Sequence, residues 1–542
     1  MTRSVERAGA AVPLRTPATP RAPRARHARA RDAGGRAGWV PTSWGSSTLA
    51  HRTTVLLLGL GLLVRARQWV GGRSLWLDEA LIARSLVARG HVSLATEPLL
   101  HNQAAPQGWL QAVRLSVDAL GDGERALRLV SLLAGFGTLL MLWRLAVRLL
   151  PPTLVPVAVG VAALHPGLVY YANEVKPYAL DVLVALAVVA VALRRRPLLL
   201  GLVGAVAVWC AYPAVFVLTG ASVVLVLAAP TWREALRTSL RLSPWVVSLG
   251  VAYVLVLAPL RGREVYELYW AYAYPRGVAD LPAWLVRRTA ELLQDPLALR
   301  VAPLALALLA LGAARLVRRR GGELLLAAVP PAVVAGAVSA YPIADRLALW
   351  LVPVAALVLA AALDLPRRPA VAAAVALAVV AGPAAARTLP DLVRTREVEE
   401  LRPVLERLEE LRRPGDLVLV DIAAKGAFDH YAPRLGVPRD GVVLFRTPEP
   451  GTGCDGDVVA LRTGRFGNGR VWLVLSHELV EGPLLGTRAD LLARIGRVTR
   501  LASTIEDTGA RALLLSPAPT GRVIAPAPVT PDRCLVVNRS PR

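Results

Sequence analysis

The chain has 542 residues, 55% of them hydrophobic and 5% aromatic, with a mean hydropathy of +0.48. That is too apolar for a soluble globular protein of this length. The net charge of +24 raises the question of nucleic acid, but all except two of the 63 basic residues are Arg, dispersed through Ala-, Val-, Leu-, Gly- and Pro-rich sequence. No helix-turn-helix, zinc-finger or RNA-binding signature accompanies the charge, so nucleic acid is not an expected partner.

Residues 1–47 hold nine Arg among Pro, Ala and Gly and read as a disordered basic arm. No small-residue cleavage site follows the first apolar segment, so this arm is expected to stay in the cytoplasm. A multi-span domain over 48–390 comes next. Its apolar runs predict helices near 53–70, 127–149, 153–169, 178–193, 198–211, 213–229, 243–260, 300–317, 322–339, 346–363 and 369–387, about eleven spans. With the N-terminus inside, every second connection is cytoplasmic and should carry Arg. Arg144 and Arg148, Arg194 to Arg196, Arg233 with Arg237 and Arg241, Arg315 with Arg318 to Arg320, and Arg367 with Arg368 fall in those connections. The remainder, 391–542, is then a soluble extracytoplasmic domain.

The outward loops share a chemistry. The first, 71–126, contains RSLWLDEALIARS and then HNQAAPQGWL; the second reads YYANEVKPYALD (170–181); later ones carry REVYELYWAYAYPRG (in 261–299) and SAYPIADRL (339–347). Asp78, Glu79, Glu174, Lys176, Tyr178, Tyr341 and Arg346 are thereby gathered on one membrane face. Ionisable residues at a membrane edge point to function by default. Interfacial anchoring by Tyr, Trp and Arg accounts for the aromatics but poorly for the carboxylates. Asp78, just before an amphipathic stretch, also suits an N-cap.

These loops resemble those of polyprenyl-phosphate-dependent glycosyltransferases of the GT-C superfamily, nearest the branch of protein O-mannosyltransferases and aminoarabinose transferases. Trp76, Asp78 and Glu79 match that family's first-loop WxDE, and the Pro-containing loop is followed by a "G…E.ALR" entry into the second span. YYANEVKPYALDVL and AYPIADRLALWLVP match its second loop and late Tyr-Pro…Arg segment, in collinear order over about 50–365. The resemblance implies a helical membrane fold with an extracytoplasmic site and inverting transfer of a sugar from a polyprenyl-phosphate donor. A protein or glycan hydroxyl would accept it. Membrane lipid is a further partner, since the donor's tail needs an apolar groove.

The chemistry assigns roles. A carboxylate can take the acceptor's proton, and Asp78 is the candidate base. Lys176 or Arg346 can neutralise the departing phosphate. Glu174 is expected to bind sugar, hold Lys176 or help place the base, while Glu79 is a substrate-binding candidate or a helix-dipole residue. Tyr178 and Tyr341 are further substrate-binding candidates. Two residues depart from the family pattern: Lys176 stands where Arg is more usual, and Gln107 replaces the second residue of a frequent Pro-Pro pair. No metal site is predicted, since His101 and His165 lie far apart and outside any zinc spacing. A divalent cation on Asp78 and Glu174 stays open as a cofactor because hard cations need only oxygens.

The tail alternates apolar runs at 416–421, 441–445, 471–477, 489–496 and 512–516, an α/β pattern without P-loop, dinucleotide fingerprint or nucleophile elbow. Asp421, Asp429, His430 and His477 read as loop polars. Cys454 and Cys534 fall in a compartment that permits a disulfide, while Cys210 lies in a span. The rival to the transferase is a polytopic transporter or flippase. That would place charges near the midplane of repeated halves, and neither feature is found in the sequence.

Overall fold

The computed structural model describes residues 48–260, 269–364, 382–421, 423–437, 442–445, 470–477, 499–517 and 535–537. Helix α1 (Thr48–Gly71) is followed by three shorter helices, α2 (Leu77–Ala88), α3 (His91–Thr96) and α4 (Gln107–Leu120), then by the long α5 (Glu124–Leu149). The apolar run at 153–169 does not form one rod: α6 (Val155–Leu164) stops at the His165-Pro166 step and α7 (Pro166–Tyr171) restarts there. A residue before Pro is driven out of the helical region, and His165 is extended, its Nδ1 accepting from Leu168 N–H at 3.3 Å. Helices α8 (Tyr178–Ala192), α9 (Pro197–Cys210), α10 (Ala214–Leu227) and α11 (Trp232–Ala252) follow. Then come α12 (Leu281–Gln294), α13 (Ala302–Val317), α14 (Gly322–Leu326), α15 (Val329–Ala337), α16 (Leu351–Ala362) and α17 (Gly382–Thr388).

Among the described residues three helices are long and apolar enough to cross a membrane: Leu49–Gly71, Glu124–Leu149 and Trp232–Leu257. Seven more apolar helices are 10–17 residues long. The predicted span at 243–260 begins earlier than expected, at Trp232, with the Arg-bearing turns built into it. Most of the predicted span at 369–387 lies outside the described residues. The bundle packs around Leu139, Leu142, Val159, Ala163, Val182, Leu218, Leu325 and Leu357, all buried. Its Arg-bearing connections meet at one end: Arg148 donates to Leu193 O at 2.8 Å, Arg195 pairs with Glu323, and Arg319 with Asp364.

Beyond the bundle, α18 (Leu401–Leu411) and α19 (Lys425–Tyr431) flank a six-stranded mixed sheet. Its strands are β1 (Leu417–Asp421), β2 (Val442–Phe445), β3 (Val471–Ser476), β4 (Thr499–Asp507), β5 (Ala510–Pro517) and β6 (Leu535–Val537), in the order β4-β5-β3-β1-β2-β6. β1 pairs in parallel with β2 and β3, as fully apolar strands do when both faces are covered. Strand β4 has no counterpart among the predicted runs: in TRLASTIED the apolar residues Leu501, Ala502 and Ile505 are interrupted by polar ones, so no continuous apolar stretch marks it. The 489–496 run, Cys454 and Cys534 lie outside the described residues.

The loop at 71–126 and this domain share one apolar core. Leu75, Ile82 and Leu86 from the α2 region, Trp109 and Leu110 of α4, Leu401 and Leu405 of α18, Phe428 of α19 and Trp472 of β3 belong to a single buried cluster. Polar clamps reinforce it. The Tyr431 hydroxyl accepts from Leu75 N–H at 2.7 Å and donates to Glu124 at 3.0 Å, and Arg402 reaches the same carboxylate at 2.6 Å. Tyr431→Phe leaves Leu75 N–H without its acceptor and is expected to lower stability by about 1–3 kcal/mol, read as an earlier thermal unfolding transition of the detergent-solubilised protein.

Candidate active site

Helix α2 starts one residue before the predicted cap. Trp76 is its N-cap, with no side-chain cap bond, so Asp78 occupies the second helical position. The N-cap reading of Asp78 is therefore corrected: its carboxylate lies inside the first turn, where the helix dipole still favours it, and its contacts are with side chains. Arg346 Nη2 stands 2.9 Å and Lys176 Nζ 3.8 Å from Asp78 Oδ2. Asp78 retains 22% of its side-chain exposure, Arg346 18% and Lys176 8%, so the trio faces outward from a mostly buried setting.

Each cation is positioned by its own segment. Arg346 sits on the short 3-10 turn Asp345–Ala348, which Tyr341 closes by donating its hydroxyl to Leu347 O at 3.1 Å. Tyr341 is otherwise packed edge-on against Phe216, 5.1 Å between ring centroids, as part of the bundle. The Arg346 guanidinium lies over the Tyr178 ring at 5.8 Å, a cation–π contact, and reaches toward Tyr269 Oη at 3.4 Å. Lys176 follows the turn Asn173–Val175 and donates to Gln103 Oε1 at 2.9 Å. Burial pulls the Lys176 pKa down while the Asp78 charge opposes the shift. Gln103 follows His101 and Asn102, both at positive φ (56° and 51°), so a strained turn of the first loop delivers it. Gln107 points elsewhere, donating to Leu94 O at 3.2 Å.

Glu79 plays a different part from its neighbour. It is fully buried, and Arg128 grips it with Nε at 2.8 Å from Oε1 and Nη2 at 2.6 Å from Oε2. Val175 N–H donates to Oε1 at 2.8 Å and Arg73 Nη1 lies 3.5 Å from Oε2. Burial alone would raise its pKa, but Arg128 and Arg73 hold it below the ordinary glutamate value. Protein donors occupy both oxygens, so Glu79 serves the geometry of the site.

Glu174 does not pair with Lys176; its Oε1 accepts from the Trp76 indole N–H at 2.9 Å. Oε2 is buried without a hydrogen-bond partner. Burial, then the nearby Glu79 charge, push the Glu174 pKa up to about 7. Ser131 Oγ anchors the turn by donating to Glu174 O at 2.7 Å. Among the described residues no three His, Cys, Asp or Glu side chains gather as a metal cluster. A cation on Asp78 would have to displace Arg346 and Lys176.

Three residues near the site were not assigned to it from the sequence, His477 having been read as a loop polar. Glu399 Oε2 accepts from Leu77 N–H at 3.0 Å, Glu400 Oε2 from Ser74 N–H at 3.0 Å and Ser74 Oγ at 2.8 Å, and the His477 ring stacks on Trp76 at 6.3 Å. Glu399 and Glu400 directly precede α18, where acidic residues read as ordinary helix-dipole partners. No local signal distinguishes them. His477 alone carried a hint, as a polar residue ending an apolar strand.

Glu79→Ala leaves Arg128 and Arg73 buried without their carboxylate and is expected to destabilise by about 3–5 kcal/mol, measured by thermal unfolding in detergent. The raised Glu174 pKa has a definite sign. A carboxyl that holds its proton more tightly when folded lowers stability as pH climbs from the ordinary glutamate range to about 7, and no further above it. Glu174→Gln keeps an acceptor for Trp76 and should abolish that decline. Unfolding temperatures of the two proteins that run parallel between pH 5 and pH 8 would count against a raised pKa.

No family model matches the sequence, and no curated protein matches it. Among solved structures, the chain is similar to crystal structures of ArnT from Cupriavidus metallidurans in the apo state, with a TM-score of 0.47, and bound to undecaprenyl phosphate, with a TM-score of 0.46. Identity is 14% in both cases, covering 85% of this chain and 97% of the other.

Proposed function

We propose that this chain is a membrane glycosyltransferase that moves a sugar from a polyprenyl-phosphate donor to a hydroxyl acceptor on the extracytoplasmic face, with inversion. The observation that carries the reading is the meeting of one part-exposed carboxylate with two cations from separate loops: Asp78 Oδ2 with Arg346 at 2.9 Å and Lys176 at 3.8 Å. The loop motifs around these residues, with their resemblance to the GT-C pattern, supply the substrate class.

In this reading Asp78 accepts the acceptor hydroxyl's proton as the oxygen attacks the anomeric carbon. The bond from that carbon to the phosphate oxygen breaks, and its electron pair leaves with the phosphate. One displacement inverts the anomeric centre. Arg346, by a two-pronged contact, and Lys176, as a point charge, neutralise the departing phosphate. The same cations that steady Asp78 would thus be drawn toward the donor. That loosens their hold on the carboxylate when its basicity is needed. Glu79 fixes the helix turn that aims Asp78, Tyr341 fixes the turn that aims Arg346, and Tyr178 supports the guanidinium from below. Glu174, joined to Trp76, is left to meet the sugar or the acceptor with its second oxygen.

The test is sugar transfer in membranes supplied with radiolabelled polyprenyl-phosphate sugars, wild type against Asp78→Asn. Asn keeps the size and an oxygen for Arg346 but is no base. Transfer should fall by about 10²–10⁴-fold at equal expression, and the labelled product identifies the acceptor. Equal labelling by both proteins would remove Asp78 from the chemistry. A wild type silent with every donor would favour a transporter.

A further inference from the structure

Helix α2 carries Asp78 but does not cap itself. Its N-cap residue is Trp76, whose side chain offers no acceptor, and the first free amide, Leu77 N–H, is met by Glu399 Oε2 at 3.0 Å from more than three hundred residues away. The Glu399 carboxylate also takes the Ser476 hydroxyl at 3.2 Å and the His477 Nδ1–H, both at the tip of β3. His477, held at φ 63°, lays its ring against Trp76 at an interplanar angle of 18°. Next to it, Glu400 binds the backbone and hydroxyl of Ser74. Two consecutive carboxylates thereby fix both ends of Ser74–Leu77, the four residues immediately before Asp78. Glu399 is 3% exposed and Glu400 5%.

A junction that served adhesion alone would be made more cheaply from apolar side chains, since burying a carboxylate is costly and gains little over good packing. What buried, charge-assisted hydrogen bonds give is direction. A helix N-terminus is also where a carboxylate is most favoured. From these contacts we propose that Glu399 is a positioning residue for Asp78: the C-terminal domain caps α2 in trans and, with His477 on Trp76, sets the angle at which the carboxylate enters the site. The soluble domain is then a working part of the active centre. This rests on the glycosyltransferase reading for its kinetic consequence, but the cap itself can be observed without activity.

The experiment uses the full-length protein in detergent micelles, as wild type, Glu399→Ala, Glu399→Gln and His477→Ala, with Glu410→Ala on the exposed face of α18 as control. Amide hydrogen exchange is followed over Leu77–Ala83 and over α5, and sugar transfer is measured at varied donor concentration. Glu399→Ala is expected to speed exchange in the first turn of α2 while leaving α5 unchanged. It should lower kcat by about 100-fold with donor KM little altered. Glu399→Gln, which keeps an oxygen for Leu77 N–H, should recover much of both, and His477→Ala should fall between. Exchange over Leu77–Ala83 unaltered in the folded variants would overturn the proposal. So would faster exchange with undiminished kcat, since the contact would then be structural only. If wild type transfers no sugar, the glycosyltransferase reading fails. The exchange measurement alone then decides whether Glu399 caps α2.

Discussion

The buried carboxylate of Glu79 is the point on which the candidate site turns. Removing a carboxylate from water is unfavourable by several kcal/mol unless every oxygen is met with good geometry. Here the guanidinium of Arg128 supplies two parallel bonds, Val175 N–H a third and Arg73 a further charge. Those donors come from α5, from the turn before α8 and from the end of the α1 connection. One side chain therefore locks together the segments that carry Asp78, Glu174 and Lys176. The geometry is self-enforcing, because any partner that leaves strands a buried charge.

Adjacent acids with opposite duties recur in this structure. Neighbours on a helix point about 100° apart, so when Glu79 turns inward, Asp78 is directed to the open side, toward Arg346 and Lys176. Glu399 and Glu400 are arranged by the same logic in extended chain: one reaches Leu77 and the tip of β3, the other Ser74. Each pair joins two parts of the chain through backbone amides as well as side chains. Backbone donors keep their position when side chains repack. That makes these junctions better at holding an angle than an apolar contact of equal area.

Much of this was legible in the sequence because local patterns carried it. Apolar runs marked the bundle, and the acidic and basic loop residues were expected on one face; the charged ends of Arg346 and Lys176 stand 2.9 Å and 3.8 Å from the Asp78 carboxylate in the structure. The duty of Glu79 was not legible, since its partner Arg128 lies in a helix read as a span and the contact is non-local. Glu399 and Glu400 were hidden by a sufficient local explanation, the start of α18. The cap of α2 was misassigned for the same reason: Asp78 satisfies the local rule, but a more distant carboxylate already held the amide. Strand β4 escaped because polar residues interrupt its few apolar ones, and the His165-Pro166 break because composition alone favoured an uninterrupted helix.

Why a carboxylate and two cations share one cluster follows from electrostatics. A carboxylate alone at a membrane edge would be poorly solvated, and two cations alone would repel each other. Together Asp78, Arg346 and Lys176 offset one another except for one positive charge, with Gln103 and the Tyr178 ring completing the surroundings of the cations. The phosphate of the proposed donor would carry charge of the same sign as Asp78 and compete for the same two cations. In the proposed reaction the cations would share their charge between the carboxylate and the donor as the donor arrives. Lys176 would suit that proposed exchange. A point charge on a flexible stem, 3.8 Å from Asp78 and already bound to Gln103, can swing between partners more readily than a planar fork locked to one. Arg346, on the Tyr341-closed turn, would move less than Lys176 as it turns its fork from Asp78 toward the phosphate.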